Sequence, residues 1–149
     1  MALIELHPDF KDFLKLLNSH GVEYLIVGGY AVGYYGYPRA TGDLDIWIKV
    51  GDANAERTAQ AVKDFGMPER ETTKRLFIEK DKIIRMGVPP VRIEVITGAS
   101  GVEFDECYTR REIVEIDDIP VKFISLDDLK VNKRVTGRHK DLEDLEHIL

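Results

Sequence analysis

The chain has 149 residues, of which 44% are hydrophobic, and this is the usual size and composition of one domain with one hydrophobic core. Its formal net charge of −6 argues against a general nucleic-acid coat protein. One cysteine excludes an intramolecular disulfide and suits a reducing cytoplasm. We find no signal peptide and no run of about 20 apolar residues. We therefore expect a single cytoplasmic domain, residues 1–149, with no membrane partner.

Helix and strand patterns alternate in the first half of the sequence. Apolar spacing and breaking residues predict helices over residues 8–19, 29–35 and 53–65. Short apolar runs predict strands over 22–27 and 44–50. The first of these strands is apolar almost throughout, so we expect it near the centre of a sheet.

The second half has shorter elements. Residues 82–86 and 91–96 are predicted to form a bent hairpin. Two further strands, 113–116 and 121–123, flank a pair of aspartates. Two helices, 126–136 and 140–148, close the chain, and Ser125 is a suitable N-cap for the first of them.

Two aspartates open the strand predicted over 44–50. Asp43 and Asp45 are separated by one leucine, and strand side chains alternate between faces. Both carboxylates therefore point the same way, about 6.6 Å apart along the strand. Two like charges about 4 Å apart cost on the order of 4 kcal/mol at a surface-like dielectric, which favours a cation between them. The alternative is an exposed strand end on which both aspartates are solvated.

Glu94 supplies a third carboxylate. It lies in an alternating strand pattern, on the face opposite Ile93 and Val95. If this strand lies beside the Asp-x-Asp strand, the three carboxylates converge. Oxygen ligands of this kind suit Mg²⁺ (or Mn²⁺), which binds through a few carboxylates and substrate phosphates. Two such ions can hold the attacking and leaving oxygens of phosphoryl chemistry.

A glycine pair and a short loop supply candidate phosphate contacts. Gly28 and Gly29 lack Cβ atoms, so the backbone can approach a ligand, and N–H groups at the following helix start attract phosphate. Arg39 and Thr41 precede Asp43 in a loop that we expect to border the phosphates. Arg39 either binds triphosphate oxygens, which suit its forked geometry, or pairs with the aspartates.

A lysine lies on the apolar stripe of the predicted helix 126–136. Leu129 and Lys133 are one turn apart on the side that is predicted to face inward. Lys133 is either a snorkelling lysine or one directed at phosphates or at the acidic residues. Arg138 and Asp141 are interpreted first as an ion pair at the start of the last helix and second as nucleotide contacts.

Together these blocks resemble the nucleotidyltransferase superfamily of the DNA polymerase β type, and more narrowly the small bacterial nucleotidyltransferases related to AbiEii and MNT toxins. The resemblance rests on residues 28–48, 87–94, 101–104 and 133–142 and covers nearly the whole chain. It departs at Tyr30, where many relatives have a small or hydroxyl residue, and at Glu94, where aspartate is commoner. It implies a polymerase β-like α/β (α+β) fold with a mixed, mostly antiparallel sheet and flanking helices.

The resemblance also implies an activity. The protein is expected to transfer a nucleoside monophosphate from an NTP such as ATP to an acceptor hydroxyl and to release pyrophosphate. The likeness to toxins further implies a component of a toxin–antitoxin pair. Asp43 and Asp45 are expected to hold the metal ions, and Glu94 to complete the second metal site or to accept the proton of the attacking hydroxyl. Five residues are expected to bind the nucleotide: Gly28, Gly29, Arg39, Thr41 and Lys133.

Other functions remain open at this point. The chain is alternatively a catalytically silent nucleotidyltransferase-like module that binds a partner, or a metal-dependent phosphohydrolase. Since the sequence ends directly after the last predicted helix, we expect a second copy, a partner protein or the acceptor to complete the catalytic face. Lys130 and Arg134 beside Lys133 suit RNA as the acceptor, or are simply solvated.

Overall fold

A computed structural model of the chain describes residues 5–37, 42–68 and 72–148. These ranges contain six helices: α1 (Pro8–Ser19), α2 (Gly28–Tyr34), α3 (Asp52–Asp64), α4 (Phe104–Thr109), α5 (Leu126–Thr136) and α6 (His139–Ile148). They also contain six strands: β1 (Tyr24–Val27), β2 (Asp43–Ile48), β3 (Ile83–Met86), β4 (Arg92–Ile96), β5 (Glu112–Ile116) and β6 (Ile119–Phe123). A turn of 3₁₀ helix spans Lys74–Phe77.

All six strands join in one sheet with the order β3-β4-β2-β1-β6-β5. The pairs β1–β2, β3–β4 and β5–β6 are antiparallel, whereas β1–β6 and β2–β4 are parallel. This confirms the predicted mixed, mostly antiparallel sheet. It also confirms the central position of the first strand, because β1 lies between β2 and β6 and all four of its residues are buried.

The helices cover the sheet and close the hydrophobic core. Helix α1 packs on α3 and β6, α2 packs on β1 and β2, and α5 packs on α6. The bounds predicted for α1 and α5 are confirmed. The hydroxyl of Ser125 accepts a hydrogen bond from the backbone N–H of Asp128 at 3.2 Å, which confirms Ser125 as an N-cap. None of the described helices is both long and apolar enough to cross a bilayer.

Some elements differ from the sequence prediction. Helix α4 and the 3₁₀ turn are not predicted by the sequence, because elements of six and four residues are too short to display a helical period. Helix α4 is fixed by tertiary contacts instead, since Phe104 meets Trp47 of β2 edge to face with 5.1 Å between ring centroids. Strand β1 begins at Tyr24 rather than at residue 22, and α2 begins one residue earlier than expected, at Gly28.

Candidate active site

The three predicted carboxylates meet at one end of β2 and β4. The parallel register of these strands sets Glu94 beside Asp45 and Arg92 beside Asp43. On its other side, Asp45 is paired with Val27, the last residue of β1. The prediction that the two acidic strands are neighbours is therefore confirmed. We call Asp43, Asp45 and Glu94 the carboxylate cluster.

Gly28 makes room for one member of this cluster. Its φ of +69° lies in the left-handed region that favours glycine. A Cβ at this position would overlap Oδ2 of Asp45 and lie 2.9 Å from its Cγ. The turn after β1 therefore needs glycine for two separate reasons, and the carboxylate of Asp45 lies directly against the backbone of that turn. Gly29 follows in the first turn of α2, where it is buried.

Asp45 is the least satisfied group of the cluster. Its Oδ1 is buried and accepts no hydrogen bond from the part of the chain that the structure describes. Burial, followed by the negative charge of Glu94, a side-chain hydrogen bond with Glu94 and the negative charge of Asp43, raises the pKa of Asp45 to about 7, against an ordinary value of 3.8. A buried, unpartnered carboxylate oxygen next to two further carboxylates is the arrangement that a bound cation would satisfy.

Arg92 pairs with the other two carboxylates. Its Nε lies 2.8 Å from Oδ1 of Asp43, and its Nη2 lies 3.0 Å from Oδ2, which makes a bidentate pair. The same Nη2 lies 3.3 Å from Oε1 of Glu94. Arg85, on the edge strand β3, donates from Nε to that oxygen at 3.1 Å. No role is predicted for Arg92 from the sequence, although strand alternation places it on the same face as Glu94.

The helix pair α5–α6 brings two more cations near the cluster. The positive charge of Lys140 opposes the increase in the pKa of Asp45. The pKa of Arg138 is raised, first by its hydrogen bond to Asp141 and further by several carboxylates, among them Asp45. Both residues follow Gly137, which ends α5 in a left-handed conformation and turns the chain into α6.

Lys133 does not belong to the carboxylate cluster. Its Nζ lies 3.0 Å from Oδ1 of Asp141 and 3.0 Å from Oδ2 of Asp144, both on α6. Arg138 adds a contact of 2.7 Å between its Nε and Oδ2 of Asp141, which confirms the predicted ion pair. We call these four residues the lysine cluster. The side chain of Lys133 is only 4% exposed. Its inward orientation is as predicted, and in this structure it is a buried counter-ion of two aspartates on α6. The nucleotide-binding role predicted for Lys133 stays a prediction.

The loop before β2 is only partly described. Arg39 and Thr41, which are predicted to border the phosphates, lie outside the described residues. Gly42 is the first described residue after them, and its carbonyl accepts a hydrogen bond of 3.1 Å from the backbone N–H of Arg92. The end of the loop is thereby fixed to β4, next to the carboxylate cluster.

The carboxylate cluster fits the predicted Mg²⁺ in its chemistry. Its donors are carboxylate oxygens, which suit a hard cation, and one of them is buried without a partner. In the described residues, no three acidic, histidine or cysteine side chains are already arranged as a set of metal ligands. Arg92 contacts both oxygens of Asp43 instead. A cation at this place would therefore need Arg92 to move.

Comparison with known proteins supports the fold. The sequence matches no protein-family model and no curated protein. A proposed nucleotidyltransferase from Thermotoga maritima has a similar structure (13% identity, 95% of this chain and 93% of that chain, TM-score 0.61). An antigenic nucleotidyltransferase-like protein from Paracoccidioides brasiliensis also has a similar structure (22% identity, 94% of this chain and 72% of that chain, TM-score 0.55). A third similar structure is that of ANT(2″)-Ia in complex with adenylyl-2″-tobramycin (16% identity, 93% of this chain and 84% of that chain, TM-score 0.58). The chain therefore has the nucleotidyltransferase fold.

Proposed function

We propose that the protein is a metal-dependent nucleotidyltransferase that moves a nucleoside monophosphate from an NTP to an acceptor hydroxyl. One observation carries the proposal. On a nucleotidyltransferase fold, three carboxylates meet beside a glycine turn, and the buried Oδ1 of Asp45 accepts no hydrogen bond from the described residues. A structural role does not explain this arrangement, because a buried carboxylate oxygen that accepts no hydrogen bond destabilises the fold.

The residues of the site have separate tasks in this reaction. Asp43 and Asp45 would hold Mg²⁺, with Glu94 completing the ligand set. Bound there, the metal would neutralise phosphate charge as the acceptor oxygen bonds to the α-phosphorus and the bond to pyrophosphate breaks. Gly28 leaves room for the carboxylate of Asp45 against the turn, and Gly28 and Gly29 keep the nucleotide-binding role predicted for the glycine turn as part of this proposal. As the alternative to completing the ligand set, Glu94, which is not fully buried, would take up the proton of the attacking hydroxyl.

The finer parts of the function are also proposals. The acceptor is a hydroxyl of RNA, protein or a small molecule, and the likeness to toxin-type nucleotidyltransferases comes from sequence blocks alone. The basic face proposed for RNA is smaller than expected, because Lys133 is buried in the lysine cluster while Arg134 stays exposed. A partner protein or a second copy that completes the site is part of the same proposal.

A second candidate function is supported by Arg92. Its guanidinium contacts both carboxylate oxygens of Asp43 and one of Glu94, so it partly replaces the charge of a metal ion. A nucleotidyltransferase fold that retains its acidic residues, but keeps them paired with arginine, would serve as a binding or regulatory module. This alternative predicts a site that never transfers a nucleotide.

The proposed function is tested with labelled substrates. The purified protein is incubated with Mg²⁺, cell extract and each of the four α-labelled NTPs, and labelled RNA, protein and small molecules are then separated. We expect label in one fraction and release of pyrophosphate. Asp43→Asn and Asp45→Asn should each reduce transfer to about 1% or less, because the loss of outer contacts to metal ligands alone typically costs 10–100-fold.

Asp118→Asn is the matched control, because it makes the same chemical change at an exposed turn where φ is +66°, a conformation that asparagine tolerates. It should transfer at the wild-type rate. If the wild-type protein binds nucleotide but labels no fraction, the silent module is the better description. Full transfer by Asp45→Asn would refute the assignment of the metal site.

A further inference from the structure

We infer that Arg92 is a built-in counter-ion that competes with the divalent cation for Asp43 and, once displaced, binds the phosphates of the incoming nucleotide. This inference rests on the proposed function, since it assigns Arg92 a part in loading the same site. It adds a prediction about affinity. Because of Arg92, the metal alone should bind weakly, whereas metal and nucleotide together should bind tightly.

The contacts of Arg92 show the competition directly. Both oxygens of Asp43 accept hydrogen bonds from its guanidinium, at 2.8 and 3.0 Å. A cation that uses Asp43 would share these oxygens with a positive charge only a few ångströms away, and the two cations would repel each other. Binding of the metal therefore requires the guanidinium to move from Asp43.

Arg92 is free enough to make this movement. Its side chain is 28% exposed, as is that of Asp43, so their pair lies at the open edge of the site rather than in the core. Since Arg92 also contacts Glu94, a small rotation can shift its contacts within the cluster. Lys133, whose side chain is 4% exposed, has no such freedom.

Another bidentate pair in the molecule shows what a purely structural arginine looks like. Arg110 contacts Asp128 at 3.0 and 2.9 Å, in nearly the same geometry as the pair at the site. The hydroxyl of Ser125 also donates to Asp128, at 2.9 Å. That carboxylate is well satisfied by its neighbours. Arg92, in contrast, contacts two of three neighbouring carboxylates, and the Oδ1 of the third, Asp45, accepts no hydrogen bond from the described residues.

The displaced guanidinium has a clear target. A nucleoside triphosphate bound through a metal at Asp43 and Asp45 would bring several phosphate oxygens to the edge where Arg92 lies. The planar fork of arginine binds phosphate with two parallel hydrogen bonds, which lysine cannot reproduce. Arg92 would thus exchange one anion for another, and the nucleotide would offset the loss of the pair with Asp43.

The experiment measures two affinities for the same set of proteins. Calorimetric titration gives the Kd of Mn²⁺ alone and the Kd of the Mn²⁺–tripolyphosphate complex, a probe that does not depend on the base. The proteins are wild type, Arg92→Gln, Arg92→Lys and the matched control Arg110→Gln. Thermal unfolding of each variant confirms that it is folded at the temperature of the titration.

We expect Arg92→Gln to bind Mn²⁺ alone about tenfold tighter, and Mn²⁺–tripolyphosphate about tenfold weaker, than wild type. Arg92→Lys retains the charge but loses the fork, so it should match wild type for Mn²⁺ and bind tripolyphosphate more weakly. Arg110→Gln should change neither Kd more than about twofold. Unchanged or weaker Mn²⁺ binding by Arg92→Gln would overturn the inference. Where Arg92→Gln does not fold, Mn²⁺–tripolyphosphate binding by Arg92→Lys as tight as that of wild type would overturn it.

The two proposals fail in different ways. If wild type transfers label from an NTP but the opposite changes in Kd are absent, the role of Arg92 is refuted and the proposed function stands. If the opposite changes are present in a protein that transfers no label, Arg92 is a counter-ion as inferred, and the proposed function is refuted.

Discussion

The lysine cluster between α5 and α6 and the carboxylate cluster at the end of β2 and β4 both bury charge, but their balance differs. In the lysine cluster, Lys133 lies 3.0 Å from each of two buried aspartates, and Arg138 adds a second positive charge. Buried charges of opposite sign then satisfy one another. The lysine cluster therefore shows how this fold pairs buried carboxylates with cations.

In the carboxylate cluster this pairing is incomplete. Arg92 pairs with Asp43 and reaches Glu94, yet the buried Oδ1 of Asp45 accepts no hydrogen bond from the described residues. The pKa of Asp45 is raised to about 7, by burial first and then by its acidic neighbours. Imbalance of this kind is typical of functional sites, whose groups are arranged for a ligand rather than for stability. The comparison thus separates a structural ion cluster from a candidate binding site.

The largest expected effect is on the lysine cluster. Lys133→Met leaves Asp141 and Asp144 buried without the ammonium, so it should lower the free energy of unfolding by about 3–5 kcal/mol. Urea unfolding measures this change. Lys130→Met, at a partly exposed position on the same helix, is the control and should stay within about 0.5 kcal/mol of wild type. Lys133 would be a nucleotide ligand after all if its substitution cost little stability but removed nucleotide binding.

At the carboxylate cluster we expect a smaller change in the free energy of unfolding, and one of opposite sign. Between about pH 4 and pH 7, Asp45 keeps its proton in the folded protein but has lost it in the unfolded chain. The contribution of Asp45 to the free energy of unfolding therefore falls as the pH rises. Asp45→Asn removes this dependence and should raise the free energy of unfolding by about 1–2 kcal/mol at pH 8. The gain over wild type should shrink steadily towards pH 4. Unfolding in urea at pH 4, 6 and 8 tests both statements.

Asp43→Asn is the matched comparison for that variant. Asp43→Asn removes a carboxylate that is paired with Arg92, so it should lower the free energy of unfolding by about 1 kcal/mol. Asp45→Asn, in contrast, should raise it. A loss of stability in both variants would mean that Asp45 is satisfied as well as Asp43, and the contrast between the clusters would then be wrong.

The sequence predicts the order of elements and the face on which each carboxylate lies, because both follow from local patterns. The meeting of the carboxylates depends in addition on the pairing of β2 with β4, and from the sequence it is predicted only on that condition. Alternation along 91–96 puts Glu94 on one face, and the short segment between β3 and β4 favours their pairing. Gly28 is also visible as part of a glycine pair. The overlap that a Cβ there would make with Asp45 appears only when β1 and β2 are placed side by side.

The remaining features depend on contacts between distant elements. The helical stripe shows that Lys133 faces inward, but its partners on α6 are fixed by the turn at Gly137. Arg92 shares a face with Glu94 in the sequence pattern, whereas its bidentate pair with Asp43 depends on the parallel register of two strands. Side-chain pairing between elements is set by tertiary packing, which no local period records.

We propose that the carboxylate cluster binds a metal together with a nucleotide, and thermal unfolding detects this binding in the purified protein. Melting curves are recorded with each of the four NTPs, with Mg²⁺, with both, and with both plus EDTA, for wild type and Asp45→Asn. We predict that one NTP with Mg²⁺ stabilises wild type by about 2.7 kcal/mol when the nucleotide is at one hundred times its Kd. Mg²⁺ alone should stabilise the protein less. Either EDTA or Asp45→Asn should remove the stabilisation by nucleotide. Stabilisation by nucleotide that persists in EDTA and in Asp45→Asn would mean that the nucleotide binds without a metal at the carboxylate cluster.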